Sequence, residues 1–109
     1  MAFFSVDDKT HHDLAVMAVG ADAPDPPRAG VGLAHIAFKV GDSVDELKDA
    51  VGWLESRGVR IHGMSDHTVS QSLYLTDPDG NEVELYVDAD PSIWRDDPQA
   101  VASMKPLAL

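Results

Sequence analysis

Ser72-Leu73-Tyr74-Leu75-Thr76-Asp77-Pro78-Asp79-Gly80-Asn81-Glu82-Val83-Glu84-Leu85-Tyr86-Val87 reads as strand, turn, strand. Leu73 and Leu75 alternate with Ser72, Tyr74 and Thr76, and Val83, Leu85 and Val87 alternate with Glu82, Glu84 and Tyr86. Side chains on a strand point to opposite faces in turn, so the pattern predicts two half-buried strands. The intervening Asp-Pro-Asp-Gly-Asn is a strong turn signal, with Gly80 free to take positive φ. Tyr74 and Glu84 are thereby placed on the polar side.

Working outward, the stretch 32–40 carries the same two-faced pattern: Ile36, Phe38 and Val40 on one side and His35 on the other. The clearest helix signal follows it. Ser43 and Glu46 make a capping-box pattern, Val44, Leu47, Val51 and Leu54 make an apolar stripe, and Arg57-Gly58 suits the C-terminal end. A short strand is expected at 59–62, then a loop to Ser72. Residues 33–88 thus spell strand, helix, strand, strand, strand. A helix covering the apolar face of that sheet would leave His35, Tyr74 and Glu84 looking out of the other.

Toward the N-terminus, 3–6 and 12–19 read as two strands around a turn at 7–10. Phe3-Phe4-Ser5-Val6-Asp7 lies over Leu73-Tyr74-Leu75-Thr76-Asp77, a hint of a duplicated unit. The segment 20–32 holds Pro24, Pro26 and Pro27 and reads as a linker. The tail, 89–109, is polar and Pro-punctuated; Trp94 is expected to anchor it, and Asp97-Pro98 to start a short helix through Ala102.

The chain has 109 residues, enough for one domain with a modest core. Eight basic against nineteen acidic residues give a formal charge of −11, which opposes binding to nucleic acid and to anionic membranes. No window approaches the roughly 18 apolar residues of a membrane span, and the first residues lack the features of a signal peptide, so the expected location is cytoplasmic. With no cysteine, thiolate metal sites, disulfides and thiol nucleophiles are excluded. A metal would have to be bound by His, Asp, Glu or Tyr, a donor set that suits iron(II), manganese, zinc or nickel.

Each candidate residue has an ordinary structural reading. A single strand histidine is more often hydrogen-bonded than ligating, and a Glu on an exposed strand face usually meets water. His67, in Ser65-Asp66-His67-Thr68-Val69-Ser70, reads equally as a loop histidine or as a hydrogen-bonding partner for an oxygen-bearing substrate. His11-His12 opens a strand, where adjacent residues face opposite ways, so only one can enter a site. His62 is expected at the surface. What raises the functional reading is the company that His35, Glu84, Tyr74 and His67 keep.

The run from Gly32 to Val87 resembles the vicinal oxygen chelate superfamily, which includes glyoxalases, bleomycin-resistance proteins and extradiol ring-cleaving dioxygenases. The resemblance rests on Gly-Leu-Ala-His-Ile-Ala-Phe, on the helix ending in Arg57-Gly58-Val59, and on Tyr-Leu-Thr-Asp-Pro-Asp-Gly-Asn-Glu-Val-Glu-Leu-Tyr. Within it, the chain is most similar to the extradiol (catechol 2,3-dioxygenase-like) branch, on His11-His12, on Asp66-His67 and on the tail from Trp94. The fold implied is α+β: one βαβββ module with a helix on one face of a mixed, curved sheet over 33–88, preceded by a β-hairpin (1–19) left from a partial first module.

By that resemblance, the function implied is opening of a catecholic ring with O2 at a non-haem iron(II) site. His35 and Glu84 would be metal ligands, His12 the acid–base histidine, and His67 and Tyr74 contacts to the catecholic oxygens. The alternatives are a metal-free small-molecule binder of the bleomycin-resistance type and a glyoxalase-like lyase. The family's module is duplicated, with a further ligand on the first strand of the preceding copy. This chain starts at what would be that copy's third strand, so Met1 reads as internal and one chain supplies two ligands at most. The expectation is a homodimer whose twofold pairing rebuilds the site; the other outcome is an inactive chain.

Overall fold

The computed structural model describes residues 1–27, 29–88, 95–96 and 105–109, which form two compact units, Met1–Gly30 and Val31–Leu109. The expected Trp94 anchor and the 97–102 helix lie outside the described residues.

In the first unit β1 (Ala2–Phe4) pairs antiparallel with β2 (Leu14–Val16), Phe4 opposite Leu14. Both strands are shorter than the sequence pattern predicts, because side-chain acceptors take the backbone donors beyond Phe4. Val6 N–H donates to Asp13 Oδ2 at 3.1 Å, and Lys9 and Thr10 N–H donate to Asp7 Oδ1 at 2.9 and 3.2 Å. Short polar side chains compete in this way with a strand ladder.

The second unit contains β3 (Ile36–Gly41), α1 (Val44–Ser56), β4 (Ile61–Asp66), β5 (Ser70–Thr76), β6 (Glu82–Asp88) and β7 (Lys105–Pro106). Its sheet has the order β3-β6-β5-β4-β7, with β3 parallel to β6 and the other pairs antiparallel. The architecture is α+β, as the alternation and the helix signal imply.

The helix begins where the sequence says it should. Ser43 takes an extended conformation and its Oγ accepts from Glu46 N–H at 3.2 Å, while the Glu46 carboxylate accepts from Asp42 N–H. Each bond satisfies a donor left without a partner near the start of a helix. Ser43→Ala is therefore expected to cost about 1 kcal/mol, read as a lower midpoint in urea unfolding with an unchanged slope. Leu47 and Leu54 are buried and Val51 packs beside them, whereas Val44, the first helical residue, stays exposed. Leu73 and Val87 complete the core from the sheet, with Met64, Leu75 and Leu85 around them. On the outer face, Arg57 lies 4.8 Å from the Trp53 ring centroid, one turn along the helix.

In the second unit, β4 and β3 also depart from expectation. The sequence places a strand at 59–62 and a loop beyond it, but β4 runs to Asp66. A register shift between Ile61 and Gly63 breaks the period-2 pattern, and Gly63 and Ser65 carry no apolar signal. The β4–β5 connection shrinks to His67-Thr68-Val69, with Thr68 at φ 71 and its N–H donating to Asp66 Oδ1 at 2.8 Å. In β3, a second shift between Lys39 and Gly41 leaves Val40 exposed instead of on the apolar face.

The β5–β6 turn is built on Asp77, whose carboxylate accepts from Asp79 N–H at 3.0 Å, Asn81 N–H at 2.8 Å and Asn81 Nδ2 at 2.9 Å. Gly80 takes φ 90 there, which a side chain would strain. Partial burial pushes the Asp77 carboxyl upward, but the bonds from Asn81, Asp79 and Gly80 outweigh it and hold the group below the usual range. Asp66 is likewise depressed, first by the Thr68 N–H. A depressed carboxyl stabilises the fold above its unfolded value and loses that contribution as pH falls through its native value. The thermal midpoint should therefore stay nearly level from neutral pH to about 5 and drop below about 4. Asp77→Asn should flatten that drop in a pH series of melting curves.

Candidate functional site

The helix covers one face of the five-stranded sheet, and the polar positions occupy the other. Antiparallel partners share a face, so the pairs Ser72 with Tyr86, Tyr74 with Glu84 and Thr76 with Glu82 all lie on that side. The parallel pairing of β3 with β6 sets Ala37 beside Glu84 and Lys39 beside Tyr86. Lys39 is held there by two carboxylates, Asp42 at 2.8 Å and Asp88 at 3.0 Å, which push its ammonium well above the ordinary lysine range.

His35 sits one residue before β3. Its Nε2 is 3.3 Å from Glu84 Oε1, with the His35 side chain 43% exposed and that of Glu84 12% exposed. The other carboxylate oxygen, Oε2, accepts from the Ser72 hydroxyl at 2.8 Å. Beside them, Tyr74 Oη lies 2.7 Å from His67 Nε2. Burial, followed by the adjacent Glu84 carboxylate, holds the Tyr74 phenol above its ordinary value. It therefore keeps its proton at neutral pH and can donate to an unprotonated imidazole or to an oxygen-bearing guest.

Four of the residues selected from sequence thus come together in one unit: His35 with Glu84, and Tyr74 with His67. His12 belongs to the first unit, where its Nδ1 is 2.7 Å from His11 Nδ1 and its ring packs on Phe3 at 4.9 Å between centroids. His62 is exposed, 4.0 Å from Glu82. The sequence reading passed over Ser72. The signal was present, since period 2 puts Ser72 on the face of Tyr74, but nothing local says that its hydroxyl meets Glu84.

Whether the donor set fits a metal ion can be judged from its geometry. Two ligands bound side by side at about 2.1 Å from one ion stand about 3 Å apart. The His35–Glu84 separation of 3.3 Å is of that size, and imidazole with carboxylate suits a divalent transition metal. Among the described residues, no cluster of three or more His, Cys, Asp or Glu side chains is formed. The pair accordingly fits two positions of a coordination sphere.

The family described as the Glyoxalase/Bleomycin resistance protein/Dioxygenase superfamily matches residues 3–85. The chain is 44% identical over 72 residues to a catechol-2,3-dioxygenase of Bacillus subtilis (strain 168), covering 66% of this chain and 25% of that protein. It is 38% identical over 92 residues to a biphenyl-2,3-diol 1,2-dioxygenase 3 of Rhodococcus globerulus, covering 81% and 46% respectively. A biphenyl-2,3-diol 1,2-dioxygenase 2 of the same organism is 37% identical over 83 residues, covering 74% and 42%. The chain thus spans from a quarter to about half the length of these relatives. No solved structure gives a significant match. Among the described residues, no helix is long and apolar enough to cross a membrane.

Proposed function

The chain belongs to the Glyoxalase/Bleomycin resistance protein/Dioxygenase superfamily, and we propose that within it the chain serves extradiol cleavage of a catecholic ring by O2. The observation that carries this reading is the convergence of His35 Nε2 and Glu84 Oε1 beside the hydrogen-bonded Tyr74–His67 pair. Relatives named as catechol and biphenyl-diol dioxygenases support it.

His35 and Glu84 would hold the metal, iron(II) first, with manganese, zinc and nickel sharing the donor preference. When bound, such an ion supplies chelation of two adjacent oxygens and activation of O2. The remaining work falls to side chains. Tyr74, kept protonated, donates to a substrate oxygen, and His67 accepts or returns the proton through the phenol. The resemblance implies the acid–base role for His12 of the first unit, a role that imidazole chemistry suits. Both atoms of O2 enter the ring-opened product, so no outside reductant is required.

A homodimer accompanies this reading. Strand β3 ends the order of its sheet, with Val31 and Leu33 exposed just before it, and exposed strand edges invite pairing with another chain. A second reading is metal-free binding of an apolar small molecule, in which His35 and Glu84, 3.3 Å apart, pair with each other instead of with an ion.

Anaerobic reconstitution with iron(II), followed by air and 2,3-dihydroxybiphenyl or catechol, tests the proposal. Retained iron and a yellow ring-cleavage product are expected. No retained iron and no product would overturn it, and tight diol binding in the presence of a chelator would favour the metal-free reading. Sedimentation on the same sample should give a dimer; a fully active monomer would remove the shared site.

A further inference from the structure

The two oxygens of Glu84 have different partners, and that division is set by a residue outside the candidate ligand set. Ser72 is wholly buried, 0% exposed, on β5, which has β6 on one side and β4 on the other. Directly opposite Ser72 is Tyr86, and directly opposite Glu84 is Tyr74. Ser72 and Glu84 are therefore diagonal neighbours on one face, a separation that a long side chain spans by leaning along its strand. Glu84 makes that lean: its Oε2 accepts a hydrogen bond from the Ser72 hydroxyl at 2.8 Å, and its Oε1 is then 3.3 Å from His35 Nε2.

We infer that Ser72 is a positioning residue that locks one oxygen of Glu84 and leaves the other as a single, directed donor beside His35. The inference rests on the reading of Glu84 as a metal ligand. A free glutamate has three side-chain torsions, and both of its oxygens can compete for an ion. With Oε2 tied to a buried hydroxyl, Glu84 offers one oxygen in one place. Ser72 suits the task because a serine hydroxyl turns to aim its proton, and its Oγ is carried by a short stem on a strand packed on both edges.

The test is a mutant cycle read by manganese(II) titration, following loss of the free-ion paramagnetic resonance signal. Ser72→Ala is expected to weaken manganese(II) binding by about 10- to 100-fold, the usual effect of removing a hydrogen-bond partner from a ligand. In a Glu84→Gln background the same change should alter affinity by less than about twofold, because Ser72 acts only through the carboxylate. A purely structural role for Ser72 would weaken binding equally in both backgrounds and overturn the proposal. Loss of affinity in Glu84→Gln with none in Ser72→Ala overturns the positioning role and leaves the ligand reading standing. Equal affinity in the wild type and Glu84→Gln overturns the ligand reading itself. A second measurement needs no metal. Side-chain couplings from nuclear magnetic resonance should show one Glu84 rotamer in the wild type and an average in Ser72→Ala; an unchanged rotamer overturns the positioning in either case.

Discussion

Glu84→Gln is expected to reduce divalent-metal retention by at least about 100-fold and ring cleavage in proportion, with little loss of folding stability. The amide keeps the shape of the carboxylate, and its carbonyl oxygen can still accept the Ser72 hydroxyl. What it loses is the negative charge that a divalent ion requires beside the neutral imidazole donor His35, 3.3 Å away. The Glu84 side chain is only 12% exposed, so water does not readily replace the missing charge. Removing a ligand should cost at least as much as removing a ligand's hydrogen-bond partner, which typically costs 10- to 100-fold. Metal content after gel filtration, together with the urea midpoint of the same samples, checks the expectation. Retention equal to wild type would show that Glu84 is not a ligand.

Leu73→Ala should have the largest effect on stability, about 2–5 kcal/mol. Leu73 is 0% exposed and packs with Leu47, Leu54 and Val87, where helix and sheet meet. Shortening it removes apolar burial and leaves a cavity between a helix and a sheet that cannot fully close on it. Against a total stability of about 5–15 kcal/mol for a domain, that is a large fraction. In urea the midpoint should fall by more than about 1 M. The consequence reaches the site, because Leu73 lies between Ser72 and Tyr74, whose side chains point to the opposite face. A midpoint within about 0.3 M of wild type would show that this interface is not the core of the unit.

The features that came directly from the sequence are those fixed within a few residues. The Ser43–Glu46 cap, the Leu47–Leu54 stripe and the Asp77–Asn81 turn each depend on contacts between residues at most a turn or two apart. Period-2 alternation likewise assigned Tyr74 and Glu84 to the polar face. The reading failed where a register shift breaks the period, at Gly63 in β4 and at Val40 in β3. It also missed β7, a two-residue strand whose Lys105 meets Asp66 and whose Pro106 is tolerated because the strand lies at the edge of the sheet.

The sequence by itself determined which side chains turn away from the core: His35, Tyr74 and Glu84, each opposed to an apolar set. It could not determine which of them meet. That follows from β3 lying parallel to β6 instead of beside β4, a pairing between strands separated by the helix and two further strands. Alternation and capping are local energies, written in neighbouring residues. Strand order is settled by the burial of Leu47, Leu54, Leu73 and Val87 in one core, which only the assembled helix and sheet provide. The same assembly brings the Ser72 hydroxyl to Glu84, and so decides which carboxylate oxygen faces His35.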